Sequence, residues 1–348
     1  MWTIENLDYK TIQGVRKMVG AVKKIFQDFE KGAPNYFKEI FPYESIPKVI
    51  FDGVSVPVNI PSKLYVTDST FREGQQAISY IGKENVAKIF EYLHYIDNGT
   101  GTIKYSEFFI YTNYHKQCIQ ECLKKSFEFP KVVGWVRSKK EELKLAKEFG
   151  LDEVGILMSC SDYHIYKKFQ KTRSEIAAQY IDMIQEAFSL GITPRVHLED
   201  ITRSDIENFV IPLILAIEEI AKKCDKKVYF KLCDTLGFGV PYEYASLPRS
   251  VPKLIHTISK STNIPPERLE WHGHNDFYKA QSNAVCAWLY GASMVNCSIR
   301  GVGERTGIAA LEIAILDLVQ IKDENVPNLN FEALDELLEF TSRFEAMK

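Results

Sequence analysis

From Lys63 onward the chain repeats one arrangement: a short β-branched, apolar run followed by a longer stretch with helical apolar spacing. The strand candidates are 64–68, 102–109, 132–136, 153–158, 193–198, 227–233, 269–274 and 294–297. Helical patterns follow them, for example over 83–95, 139–149, 173–190, 205–222, 276–290 and 307–321. Strands that alternate with helices lie parallel, because each helix carries the chain back across the sheet. Eight such units, over the roughly 250 residues that this architecture needs, predict a (β/α)8 TIM barrel. A doubly wound open sheet is the main competitor, but it has no reason to stop at eight units.

The first 60 residues read differently. The stretch 12–31 has helical spacing, while 41–60 carries prolines among β-branched residues and predicts an extended arm. The expected division is an arm with a helix over 1–60, a catalytic barrel over 61–322 and a short helical tail over 323–348. The arm is expected to pack on the barrel or on a partner subunit.

Composition excludes several partner classes. The net charge of −3 in 348 residues leaves no electrostatic footprint for nucleic acid or a membrane surface. No apolar run approaches a membrane span, and the first residues lack a secretory signal. Seven cysteines, an odd number with no disulfide-like framework, suit a reducing compartment, so a cytoplasmic protein is expected. Cys118 and Cys122 lie four apart in a helical stretch with no zinc-type partners nearby, and read as packed thiols.

Barrel chemistry sits at the carboxyl ends of the strands, where residues two apart share a face. Three strands place polar side chains there: Arg195, His197 and Glu199 on the fifth, Lys231, Cys233 and Thr235 on the sixth, and Glu270, His272 and His274 on the seventh. Burying so many ionisable groups without partners is costly, so the three sets point to a site. His272 and His274 can ligate one ion, with a distant carboxylate completing a two-histidine, one-carboxylate set. An isolated pair of this kind is as readily two satisfied histidines; Glu270 on the same face, with Asn275 and Asp276 beyond, favours the metal. The first strand runs into 67–76, where Glu73 is the natural third ligand and Arg72 is placed to hold an oxyanion. Read alone, that stretch is more readily a solvated loop with an ordinary Arg–Glu pair, and convergence with the seventh strand reverses that. The glycine-rich 301–307 lacks the position and the downstream acid of a dinucleotide loop, and reads as a tight turn offering amides to a phosphate or carboxylate.

Together the runs 68–76, 197–200, 234–237, 272–276 and 301–307 resemble the barrels called DRE-TIM metallolyases, over about residues 62–322. Within that group the chain resembles the condensing branch: homocitrate, isopropylmalate, citramalate and Re-type citrate synthases. Glu73 and Ile308 are shared with homocitrate synthases, whereas 41–53, 161–165, 240–242 and 247–252 look more like Re-type citrate synthases. The resemblance implies a divalent metal (manganese, magnesium, zinc or cobalt) held by Glu73, His272 and His274. It also implies acetyl-CoA as co-substrate and a 2-oxo acid as acceptor, oxaloacetate first and 2-oxoglutarate next. Catalytic candidates are Arg72 for the alkoxide and Glu270 for enolisation; substrate-binding candidates are Gln76, Arg195, His197 and Thr235, with Arg195 facing the acceptor's far carboxylate. Alternatives are a lyase of the hydroxymethylglutaryl-CoA type and a non-catalytic binding subunit. Condensing members continue past the barrel into helices that close over a neighbouring subunit's site and supply a His and a Tyr, which implies a homodimer. This chain runs about 26 residues beyond the barrel, so that region is expected to be absent, on a separate chain, or missing from this stretch.

Overall fold

The computed structural model describes residues 29, 33–42, 44–78 and 81–344, without the side chain of residue 324; apart from residue 29, the helix expected over 12–31 lies outside them. Eight parallel strands close on themselves in sequence order: β1 (Tyr65–Asp68), β2 (Ile103–Phe109), β3 (Lys131–Arg137), β4 (Glu153–Ser159), β5 (Thr193–Glu199), β6 (Tyr229–Asp234), β7 (Leu269–Gly273) and β8 (Met294–Cys297). The ring is sealed by pairing of β1 with β8, from Tyr65 opposite Met294 to Asp68 opposite Cys297. Around it run α1 (Lys83–Asp97), α2 (Asn113–Leu123), α3 (Lys140–Glu148), α4 (Arg173–Ser189), α5 (Ile211–Lys223), α6 (Val251–Thr262), α7 (Ala280–Tyr290) and α8 (Leu311–Lys322), followed by α9 (Phe331–Thr341). This is the (β/α)8 barrel that the alternation predicts.

Local chemistry sets the helix starts. Thr112 opens α2 and Thr172 opens α4, each in a reciprocal capping box with the residue three positions on. Along the strands one set of side chains packs outward beneath the helices. Val196 and Leu198 on β5, and Phe230 and Leu232 on β6, belong to this apolar sleeve. The alternate set, including His197 and Lys231, points to the barrel axis, which period-2 alternation requires.

The axis is unusually polar for such a barrel, whose interior is dominated by branched apolar residues. It is tolerated because the charges are paired: Lys231 Nζ lies 3.1 Å from Glu107 and 3.7 Å from Glu270, and Thr67 Oγ1 donates to Glu270 at 2.5 Å. Tyr105 also donates to Glu270.

The segment before β1 is extended and lies on the α6–α7 side of the barrel. Asp52 pairs with Lys253, and the Asn59 amide donates to the Leu289 carbonyl at 2.8 Å. At the other end, the Asn330 amide donates to the Ile96 carbonyl at 3.0 Å and seats α9 against α1. Among the described residues no helix is long and apolar enough to cross a membrane. Cys118 and Cys122 are buried and free, as packed thiols should be, and all seven cysteines are free.

Candidate active site

The turn after β1 is built by Asp68. Its carboxylate accepts from the Thr70 amide at 3.0 Å, the Thr70 hydroxyl at 2.5 Å and the Ser106 hydroxyl, and Thr70 in turn accepts from the Ile299 amide at 2.9 Å. This knot joins β1 to β2 and to the loop after β8, and delivers Arg72 and Glu73 to the carboxyl-end mouth.

Glu73 is fully buried. Its carboxylate accepts from Arg72 and from the Glu304 amide at 3.0 Å. The 301–307 loop thus offers an amide to an anion, as its sequence suggests, and that anion is the protein's own carboxylate. Gly303 makes the approach possible: a Cβ there would sit 3.0 Å from Glu73 Cγ.

Across the mouth, His272 and His274 leave the end of β7 with Nε2 atoms 3.4 Å apart, each 3.9 Å from a Glu73 oxygen. His272 Nδ1 lies 2.7 Å from Asn296 Oδ1, and Asn296 Nδ2 donates to Thr67 Oγ1 at 2.8 Å. A carbonyl-type oxygen at Nδ1 keeps the proton there and leaves Nε2 bare. Nε2 of His274 faces that bare nitrogen and the Glu73 carboxylate. His274 Nδ1 has no hydrogen-bond partner. The three donor atoms lie within 4.8 Å of one another, so these residues fit a divalent ion.

The titration of the set agrees. Burial opposes ionisation of Glu73, but Arg72 and the two imidazoles outweigh it and hold the carboxyl down to about 2. Burial pushes His272 down to about 3. Near neutrality the group is therefore one carboxylate and two neutral imidazoles, the forms in which they bind metals.

The cavity beside them, about 210 Å³, is lined by Arg72, Gln76, His197 and Thr235, all singled out by sequence, and also by Glu107, Lys231, Glu199 and Trp135. Arg72 stacks over Trp135 at 4.5 Å. His197, made neutral by burial and by nearby Lys231, has Nε2 3.3 Å from Glu107. Gly155 leaves it room, since a Cβ there would sit 2.6 Å from the ring. Glu199 accepts from Ser159 and faces His164 Nδ1 at 3.3 Å. Burial works against its ionisation, and His164 reverses this to hold the carboxyl low.

Two expected site residues are not brought to this cavity. Arg195 is the third residue of β5 and faces the opposite mouth, where it pairs with Glu153 at 3.1 Å between the rings of Tyr105 and Tyr229. Glu270 is the second residue of β7 and lies deeper on the axis, engaged by Thr67, Tyr105 and Lys231. In both cases the face is as expected and the depth along the strand is not. Glu107 was not singled out, although a lone acid two residues after Tyr105 in an apolar, aromatic strand signals an inward-facing charge.

A (β/α)8 barrel with a buried carboxylate–imidazole–imidazole set at its carboxyl-end mouth defines a class of barrels whose catalytic end can hold a metal. The HMGL-like family profile matches residues 63–340, and the chain belongs to that family. It is 45% identical over 307 residues to the Citrate (Re)-synthase of Clostridium kluyveri, covering 88% of this chain and 68% of that protein. It is 40% identical over 286 residues to the Citrate (Re)-synthase of Syntrophus aciditrophicus, covering 82% of this chain and 46% of that one. By sequence it falls among the condensing enzymes of the acyltransferase type. Among solved structures, the HMG-CoA lyase of Bacillus subtilis superposes with a TM-score of 0.58 at 21% identity, over 83% of this chain and 94% of that one, a likeness of fold.

Proposed function

We propose that the protein is a metal-dependent enzyme condensing acetyl-CoA with a 2-oxo acid, with oxaloacetate as acceptor and citrate as product. The observation that carries this reading is the convergence of Glu73, His272 and His274, with donor atoms within 4.8 Å, beside a small polar cavity. Similarity to the two citrate synthases supports oxaloacetate; 2-oxoglutarate, giving homocitrate, is the next acceptor to test. A divalent ion (manganese, magnesium, zinc or cobalt) held by these three residues would supply Lewis acidity toward the acceptor carbonyl.

The chain's own residues carry the rest. Arg72, fixed on the Trp135 ring, donates to the carbonyl oxygen as it gains negative charge, a contribution of roughly 10²–10³ in rate for one such donor. With Arg195 elsewhere, Lys231 is the wall cation that meets the acceptor's far carboxylate, with His197 and Thr235 beside it. Gln76 borders the same space. Glu199, ionised near neutrality, takes the proton from the acetyl methyl group, the part first assigned to Glu270. Hydrolysis of the thioester then draws the reaction forward. The same reading treats 1–60 as an arm, 61–322 as the catalytic unit and 323–348 as a tail, of a cytoplasmic homodimer that acts on small molecules.

The test is thiol release from acetyl-CoA with oxaloacetate, 2-oxoglutarate, 2-oxoisovalerate or pyruvate, with each divalent metal added in turn. Oxaloacetate- and metal-dependent release is expected. Release that is unchanged by Glu73→Gln, or none with any acceptor, sinks the reading.

A further inference from the structure

The opposite mouth of the barrel holds a second cavity, of about 200 Å³, which the proposed reaction does not use. It is walled by the first residues of several strands: Tyr65 of β1, Lys104 and Tyr105 of β2, Lys131 of β3, Arg195 of β5 and Tyr229 of β6. In a (β/α)8 barrel this face serves stability, so a guanidinium buried there calls for an explanation.

Arg195 is only 2% exposed, and its one carboxylate partner among the described residues is Glu153 at 3.1 Å. Its Nε has no hydrogen-bond partner, although every guanidinium N–H is an obligatory donor. Lys104 lies against the rings of Tyr65 and Phe129, at 4.1 and 4.7 Å, and forms no ion pair with a described residue. Burial first, and then repulsion from Lys131, Lys63 and Arg195 against the pull of Asp97, holds its ammonium below its ordinary pKa. Three cations, Lys104, Lys131 and Arg195, therefore line the cavity against two carboxylates, Glu153, already engaged, and Glu267.

We propose that this mouth is a binding site for a small oxyanion, a carboxylate or phosphate, held between Lys104 and the Arg195 guanidinium. The volume admits a compact anion and falls below the roughly 300–1,000 Å³ of sites for larger ligands. Aromatic rings flank both cations, Tyr65 and Phe129 at Lys104 and Tyr105 and Tyr229 at Arg195, and such low-dielectric walls strengthen ion pairing.

Inorganic phosphate and malonate serve as probes of the two oxyanion types. Acetylation of Lys104 by an amine-reactive ester, read by peptide mass spectrometry on the intact protein, reports occupancy at the site itself. Roughly tenfold slower labelling is expected when either anion stands at about ten times its dissociation constant. Equal rates with and without both anions, or equal slowing by sodium chloride at matched ionic strength, overturn the proposal. Glu267→Gln removes a rim carboxylate without touching Lys104 or Arg195 and should tighten the protecting anion about threefold; weaker or unchanged protection also overturns it.

Discussion

Two buried groups of ionisable side chains lie one above the other on the barrel axis, and they solve the cost of burial in opposite ways. The upper group sets one carboxylate against two neutral imidazoles whose nitrogens face each other at 3.4 Å. The lower group sets Lys231 between Glu107 and Glu270, with Tyr105 and Thr67 completing the contacts. The lower charges largely answer one another. The upper set is one that fits a cation, and burial keeps its imidazoles in the neutral form that metals bind. Equal burial is thus met in two ways: opposite charges pair in the lower group, and neutral nitrogens face a carboxylate in the upper.

That contrast can be broken by experiment. Removing an upper ligand should chiefly cost activity. For His272→Ala, thiol release with oxaloacetate should fall by about 10³ or more, matching the several kcal/mol that a Lewis acid contributes, and titration calorimetry should show metal binding lost with it. Near-normal turnover would place the chemistry elsewhere. Removing a lower partner should cost stability and, at Lys231, acceptor binding as well. Lys231→Met strands two buried carboxylates and should lower the urea-unfolding free energy by about 3–5 kcal/mol, much of it recovered in the double variant with Glu107→Leu. If the single variant unfolds like the parent, the axis is better hydrated than its burial indicates.

Smaller effects sharpen the contrast. A divalent metal at about 100 times its dissociation constant should stabilise the parent by about 2.7 kcal/mol, seen as a raised Tm, and leave Glu73→Gln unmoved. An equal rise in both would mean that the metal binds away from Glu73. Last, Asn296→Ala removes the group that orients His272 without removing a ligand, and should weaken metal affinity about 10–100-fold in a competition assay. Unchanged affinity would show that the ring needs no such anchor.

Much of this was legible in the residues. The strand runs sit within a residue or two of their expected places, because period-2 alternation of buried apolar and inward polar side chains leaves little freedom of register. His272 and His274 were readable because they end a strand, and Glu73 because it directly follows one. What stayed hidden was depth. Arg195 and Glu199 share a strand face, yet four residues at about 3.3 Å each separate them by roughly 13 Å, enough to put one at each mouth. Pairing across β5, β6 and β7 aligns Glu199 with Cys233 and His272, and aligns His197 with Lys231 and Glu270 a layer lower. No single strand carries that alignment.

By itself, the sequence determined which side chains turn inward and which strand ends are rich in ligands, since alternation along a strand is a local property of an extended chain. Only closure of the barrel decided which inward residues stand level with one another. The stagger between strands depends on all eight closing at once, and it put Lys231 beside the upper cavity and Arg195 at a second charged mouth at the far end.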